Sequence, residues 1–230
     1  MKRSAISDLH GCVKLKDLDI DGEILCIAGD ISPLEIQRNT HKVKNWFINK
    51  FIPALEQLPV KKVFLVVGNH DFLFEIYHPT DNDKIVYLDK SEYLYQSEDG
   101  NTYKIYGIPN VQYCGNWAFS TGEEELNKCF DDIPEDTDIL ITHQPPALAD
   151  IGTVLEDGDN IPLGNRYLYE QMIAKNTHLS LSGHIHSGNH NLVHDHNLYA
   201  TNVSLLDEKY ELHYPVCKLN VTKENVSFRP

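Results

Sequence analysis

In Lys61-Lys62-Val63-Phe64-Leu65-Val66-Val67-Gly68-Asn69-His70-Asp71 a run of apolar residues ends abruptly in Gly-Asn-His-Asp. A short, unbroken apolar run bounded by a glycine reads as a strand buried on both faces. The residues from Gly68 onward then form the loop at its end. The same design recurs outward along the chain. Ile24 to Ala28 leads into Gly29-Asp30, and Leu179 to Ser182 leads into Gly183-His184-Ile185-His186. A first strand near residues 3 to 7 leads into Asp8-Leu9-His10-Gly11, and one near 138 to 142 leads into His143. Loops at strand ends are where α/β proteins hold ligands.

The residue types in these loops are metal ligands. If Asp8 and His10 continue the first strand, the two-residue side-chain period sends both to one face and Leu9 to the other. His184 and His186 repeat the device around Ile185. Two such pairs, joined by Asp30, Asn69 and His143, would enclose two divalent cations about 3.5–4 Å apart, with a carboxylate as the natural bridge. Gly29-Asp30 alone reads as a turn rather than a site. The ordered set carries the reading.

The remaining pattern is that of an α/β chain. An amphipathic helix is expected at about residues 35 to 57, with a break near Pro53 and with Val43, Trp46, Phe47, Lys50 and Phe51 at helical spacings around a largely apolar stripe. Further strands are expected near 85 to 88, 93 to 97 and 103 to 107, with helices over Gly122 to Phe130 and Asn165 to Lys175. Short strands are expected near 190 to 194, 197 to 202, 216 to 221 and 225 to 228, and His194-Asp195-His196-Asn197 reads as a hairpin tip. No linker-like segment divides the chain, so residues 1 to 230 are expected to form a single domain.

Composition narrows the partners. The 230 residues carry 20 basic and 34 acidic side chains, a formal charge of −14, without a lysine- or arginine-rich run. Long nucleic acid is a poor fit to such a surface, whereas a small phosphate ester could still be drawn in by bound cations. No stretch approaches the roughly 18 apolar residues of a membrane span. The opening Met1-Lys2-Arg3-Ser4 lacks a signal-peptide apolar region. Five scattered cysteines, Cys12, Cys26, Cys114, Cys129 and Cys217, read as reduced thiols. A cytoplasmic location is the expectation, with no membrane partner.

Taken in order over residues 8 to 186, Asp-x-His, Gly-Asp, Gly-Asn-His-Asp, His and Gly-His-x-His resemble the calcineurin-like metallophosphoesterase superfamily. The resemblance implies a four-layer α/β/β/α sandwich of two facing mixed sheets flanked by helices. It also implies that Asp8, His10, Asp30 and His186 bind one metal, while Asp30, Asn69, His143 and His184 bind a second. In the family the position of His70 contacts the phosphate and donates a proton to the leaving oxygen, a task suited to histidine. The plainer role for His70 is a hydrogen bond that fixes the loop. Asp71 either orients a histidine or caps the helical segment that begins at Phe72. Mixed Asp, Asn and His ligands suit manganese first, or iron or zinc.

Within the superfamily, Tyr103-Lys104-Ile105-Tyr106-Gly107, Trp117-Ala118-Phe119, Ile139 to Pro146 and Gly183 to Gly188 are similar to a small branch of cyclic-nucleotide-type phosphodiesterases. The chain departs from that branch at Ile31-Ser32-Pro33-Leu34 and in having no arginine-bearing segment after Phe119. Arg38, eight residues beyond Asp30, reads as a solvated residue at the start of the helix. The expected activity is a dinuclear-metal phosphodiesterase in which the cations activate water against small phosphate diesters or cyclic nucleotides; Phe72, Phe74 and Trp117 could form a wall for a base or aryl group, although core packing is the more common use of such residues. The alternatives are a phosphomonoesterase, a protein phosphatase, a nuclease, or a non-catalytic assembly scaffold.

Overall fold

The apolar runs become the central strands of two six-stranded sheets. The computed structural model describes residues 1–156 and 159–229. The strands in chain order are Lys2–Ile6 (β1), Ile24–Ala28 (β2), Lys62–Val66 (β3), Ile85–Tyr87 (β4), Ser91–Gln96 (β5), Thr102–Ile108 (β6), Val111–Gln112 (β7) and Ser120–Thr121 (β8). They continue with Ile139–Thr142 (β9), Thr153–Glu156 (β10), Asp159–Pro162 (β11), Leu179–Ser182 (β12), Val193–Asp195 (β13), Leu198–Asn202 (β14), Cys217–Val221 (β15) and Val226–Phe228 (β16). One sheet has the order β16-β15-β1-β2-β3-β4, parallel from β1 to β4 and antiparallel at β15 and β16. The other has the order β13-β14-β12-β9-β6-β5, parallel across β14, β12, β9 and β6, with an antiparallel strand at each edge.

Alternation along the strands builds three layers of core. Ala5, Ile24, Cys26, Phe64 and Val66 meet Tyr103, Ile105, Ile139 and Leu181 between the sheets. Leu25, Ile27, Val63 and Leu65, on the opposite face of the first sheet, pack against Val43, Phe47, Phe51 and Leu55. Tyr106, Ile108 and Leu140, on the outer face of the second, pack against the helices Glu123–Asp131 (α3) and Arg166–Ala174 (α4) through Leu126, Phe130, Leu168 and Met172. This is the four-layer α/β/β/α sandwich. Each fully buried Leu, Ile, Val or Phe contributes about 1.5–3 kcal/mol, and strands apolar on both faces contribute it to two layers.

The long helix starts later than expected and is continuous at Pro53. Asn39 caps it, its side chain accepting from Lys42 N at 3.1 Å, and Leu34 to Arg38 form turns instead. It is α-helical over Thr40–Trp46 (α1), takes one wider π-type turn over Phe47–Phe51, and is α-helical again over Ile52–Glu56 (α2). Pro53 has no N–H to give back to the preceding turn, and the ladder widens immediately before it, with Ile52 N donating to Phe47 O. Asn165 caps α4 in the same way, accepting from Leu168 N at 2.8 Å. β13 and β14 form the expected hairpin about His196 and Asn197. The small pairs β7–β8 and β10–β11 had no periodic signal in the sequence. No helix of the described residues is long and apolar enough to cross a membrane.

Candidate metal centre

The ends of β1, β2 and β3 face the ends of β9 and β12 across the sandwich. The first two loops are tied to one another: Asp8 N donates to Gly29 O at 3.1 Å and His10 N to Asp30 O at 2.9 Å. The backbone there is not the extended strand that the two-residue period assumes. Asp8, His10, Asp30 and His184 have φ of 56°, 46°, 54° and 70°, the left-handed region that side chains rarely adopt. Such residues cost about 1–3 kcal/mol each and persist where surrounding contacts hold them. Leu9 still turns into the core, 1% exposed, while its neighbours face the cluster. A Cβ on Gly68 would collide with Asp30 and His143, so only glycine lets the third strand end this close.

Three overlapping groups of ligand atoms result, each with its atoms within 4.8 Å of one another: Asp8, His10 and His186; His10, Asp30 and His70; Asp8, Asp30 and His143. Asp30 Oδ2 lies 3.2 Å from His143 Nε2, 3.6 Å from His10 Nε2 and 3.9 Å from His70 Nε2. Asp8 Oδ1 lies 3.5 Å from His186 Nε2. Asn69 Oδ1 is 3.0 Å from His143 Nε2. His184 stands at the edge: its ring is 5.0 Å from that of His143 and its backbone N–H reaches Asp8, but its ring nitrogens join none of the three groups.

Hydrogen bonds set the direction of the rings. His143 Nδ1 faces Ala28 O at 2.7 Å and His186 Nδ1 faces Asp207 O at 2.9 Å, so each donates there and turns Nε2 inward. His70 is held the same way by Gln37 Oε1, 2.6 Å from its Nδ1. Ser204 Oγ donates to Asp8 Oδ2 from 196 residues away.

Burial alone would raise Asp8, yet His186 and then His143 outweigh it and hold the carboxyl below its usual range. Asp30 is likewise held well below its usual range against burial, by His143, His70 and His10. In return, against a burial that would lower them, His143 is pushed up to about 9 by Asp30 and His186 to about 9 by Asp8. Burial pulls His10 down to about 4; burial and then His143 pull His184 down to about 3. The carboxylates thus demand positive charge. His10 adds a second demand, since both of its ring nitrogens are buried with no hydrogen-bond partner among the described residues. An unsatisfied buried polar group costs about 1–3 kcal/mol, and a cation on its lone pair would remove that cost. Divalent cations therefore fit this donor set.

Asp71 is engaged through its carboxylate by backbone amides. It is fully buried; its carboxylate accepts from Gly68 N and Ser32 N, both at 2.8 Å, and from Ile31 N at 3.2 Å. Its side chain makes no capping hydrogen bond to the turn Phe72–Glu75. It clasps the loop after β2 to the loop after β3. Of the expected aromatic wall, Phe74 is fully buried core, whereas Trp117 lies 4.3 Å from the His70 ring. Arg38 belongs to a turn before the helix, with its guanidinium 4.3 Å over Phe72 and 4.8 Å over Trp117. Tyr210 had no signal in the sequence. Its ring stands edge-on to His10 at 5.0 Å and His186 at 5.3 Å, on a loop with no period to mark it.

Two mixed sheets whose strand ends gather Asp, Asn and His in this way define a metallophosphoesterase-type fold and site. The chain belongs to the calcineurin-like phosphoesterase family, whose profile matches residues 1–188. It is 30% identical over 148 residues to human metallophosphoesterase domain-containing protein 1, a match covering 54% of this chain and 43% of that one. It is 29% identical over 180 residues to the probable rhamnogalacturonate lyase C of Emericella nidulans, covering 73% of this chain and 16% of that one. The chain thus spans less than half the length of these two curated relatives. Among solved structures, the phosphopantetheinyl hydrolase of Mycobacterium tuberculosis superposes with a TM-score of 0.57 at 15% identity, covering 88% of each chain. That likeness is one of fold.

Proposed function

We propose that the protein is a metal-dependent phosphoesterase that hydrolyses small phosphodiesters, cyclic nucleotides among them. The observation that carries this is the pairing of two ionised, buried carboxylates with a histidine, His10, whose ring nitrogens find no partner among the described residues. Asp8, His10, Asp30 and His186 would hold one cation and Asp30, Asn69, His143 and His184 a second, manganese being our first choice. Bound cations would supply positive charge to the phosphoryl oxygens and make a nearby water more acidic. His70, its ring set by Gln37, presents Nε2 to the same space and would hold the proton for the leaving oxygen. Asp71, accepting from Gly68 N and Ser32 N, would keep two ligand loops in register.

A diester is favoured because Trp117 and Tyr210 flank the cluster with aromatic surface, while the nearby Arg38 guanidinium already stacks on Phe72 and Trp117. Residues 1 to 230 are taken as one domain, since β15 and β16 complete the sheet that β1 begins. All five cysteines are free thiols, in keeping with a cytoplasmic location.

The test is a set of parallel rates on a bis-aryl phosphate, 2′,3′- and 3′,5′-cyclic nucleotides, an aryl monoester and plasmid DNA, with manganese, iron or zinc added to stripped protein. Diester turnover that requires metal, beside little plasmid cleavage, is expected. Fast plasmid cutting that weakens steeply with salt, beside negligible diester turnover, would replace this reading with a nuclease.

A further inference from the structure

A groove of about 760 Å³ lies between the turn Leu15–Asp17 and the helix that carries Trp46 and Phe51. It is built in two tiers. Its floor is apolar and recessed: Leu9, Leu15, Ile20, Phe51 and Leu58 are each between 1% and 8% exposed. Its rim is basic and exposed, with Lys14 and Lys16 from the loop on one side and Lys50 from the helix on the other. Among the described residues no acidic side chain lines it. Asp17 sits on the same turn outside the lining, and Asp19 reaches away to Lys218 Nζ at 2.5 Å. With 34 acidic and 20 basic residues in the chain, three charged liners taken at random would all be basic about one time in twenty.

We propose that this groove binds a single-chain anionic amphiphile, a free fatty carboxylate with its chain on the apolar floor and its head between the lysines. The size falls within the roughly 300–1,000 Å³ of small-molecule sites. The two tiers argue for a slender occupant. A bilayer surface engages apolar side chains that protrude, and a partner helix, about 10–12 Å across with its side chains, engages a broad open trough. Here the apolar atoms lie below the lysines, within reach of an alkyl chain. This site is independent of the phosphoesterase reading, since Leu9 is the one floor residue that belongs to a ligand loop, and it turns away from the histidines into the core.

The experiment is calorimetric titration of the metal-loaded full chain with octanoate, decanoate and dodecanoate below their micelle-forming concentrations, with excess inorganic phosphate to keep carboxylate from the histidine cluster. One saturable site is expected, tightening about fourfold per added methylene (about 0.8 kcal/mol) until the floor is covered. Dodecan-1-ol and dodecyltrimethylammonium should bind at least tenfold more weakly than dodecanoate. Lys14→Glu with Lys50→Glu should weaken dodecanoate at least tenfold with an unchanged melting temperature. Ala54→Trp, which fills the groove from the helix side, should abolish binding. Failure of dodecanoate to saturate one site, equal binding of the cationic amphiphile, or indifference to the lysine variants would overturn the proposal. So would tighter binding to an acidic Leu/Glu helical peptide, or to phosphatidylglycerol vesicles, than to dodecanoate.

Discussion

Asp30 has three imidazoles within 4.0 Å of its carboxylate, where Asp8 has two. Its Oδ1 accepts from His70 N at 2.8 Å, and its Oδ2 lies nearest to His143, then His10 and His70. Asn69 offers one neutral oxygen to one neighbour. Asp30→Asn should therefore lower kcat/KM by about 10³-fold or more and release both cations, while Asn69→Ala should lose about 10–100-fold and weaken one. Metal analysis alongside rates checks this; two tightly held metals in the Asp30 variant would refute the bridging role. His70 is separable from metal binding. His70→Ala should keep its metals yet slow esters with poor leaving groups by roughly 10²–10⁴-fold, and aryl esters with good ones much less. Gln37→Ala, which only frees the ring, should show the same leaving-group trend at about tenfold. A loss equal across the leaving-group series would assign His70 to phosphate binding instead.

At the scale of the element, strand β1 carries a charge into the core. Arg3 shares its strand face with Ala5 between the two sheets, is fully buried, and has no partner for Nε, Nη1 or Nη2 among the described residues. Burial pulls it down to about 10. In the sequence it opens the strand expected near residues 3 to 7, and nothing local says which face it takes. Pairing with Ile24 on one side and Leu219 on the other turns it inward. A buried charge without a matched partner is a net loss that an apolar side chain of similar length avoids. Arg3→Met should raise stability by about 1–4 kcal/mol in denaturant melts at unchanged slope. A destabilised Arg3→Met would show that the guanidinium is satisfied in solution.

For the molecule as a whole, the cluster ties stability to pH in opposite senses. His143 and His186, held up near 9, contribute stability that is complete below their unfolded value of 6.5 and lost as pH rises through 9. His10 and His184, held down near 4 and 3, contribute stability that is present above 6.5 and lost as pH falls through those values. The metal-stripped protein should thus melt highest near pH 6.5 and lower on either side. Cations on the same nitrogens compete with protons, so loading should flatten the alkaline limb. A melting temperature of the stripped protein that is constant from about pH 6.5 to 9 would contradict the arrangement.

The strands and the set of ligand types were legible because both are local. Val63 to Val67 needs only its own apolar run to be a buried strand, and Gly68-Asn69-His70 only its place at the strand's end. The helix start was expected at residue 35 because the apolar period extends past the true cap, Asn39, and only the cap's hydrogen bond marks the boundary. The left-handed turns at Asp8, His10 and Asp30, the clasp of Asp71 between two loops, Ser204 on Asp8 and Tyr210 against His10 were decided by tertiary structure alone. The Asp71, Ser204 and Tyr210 contacts join residues 39 to 200 apart, and the turns at Asp8 and His10 are tied to a loop 20 or 21 residues away; no local period or motif records contacts at such separations.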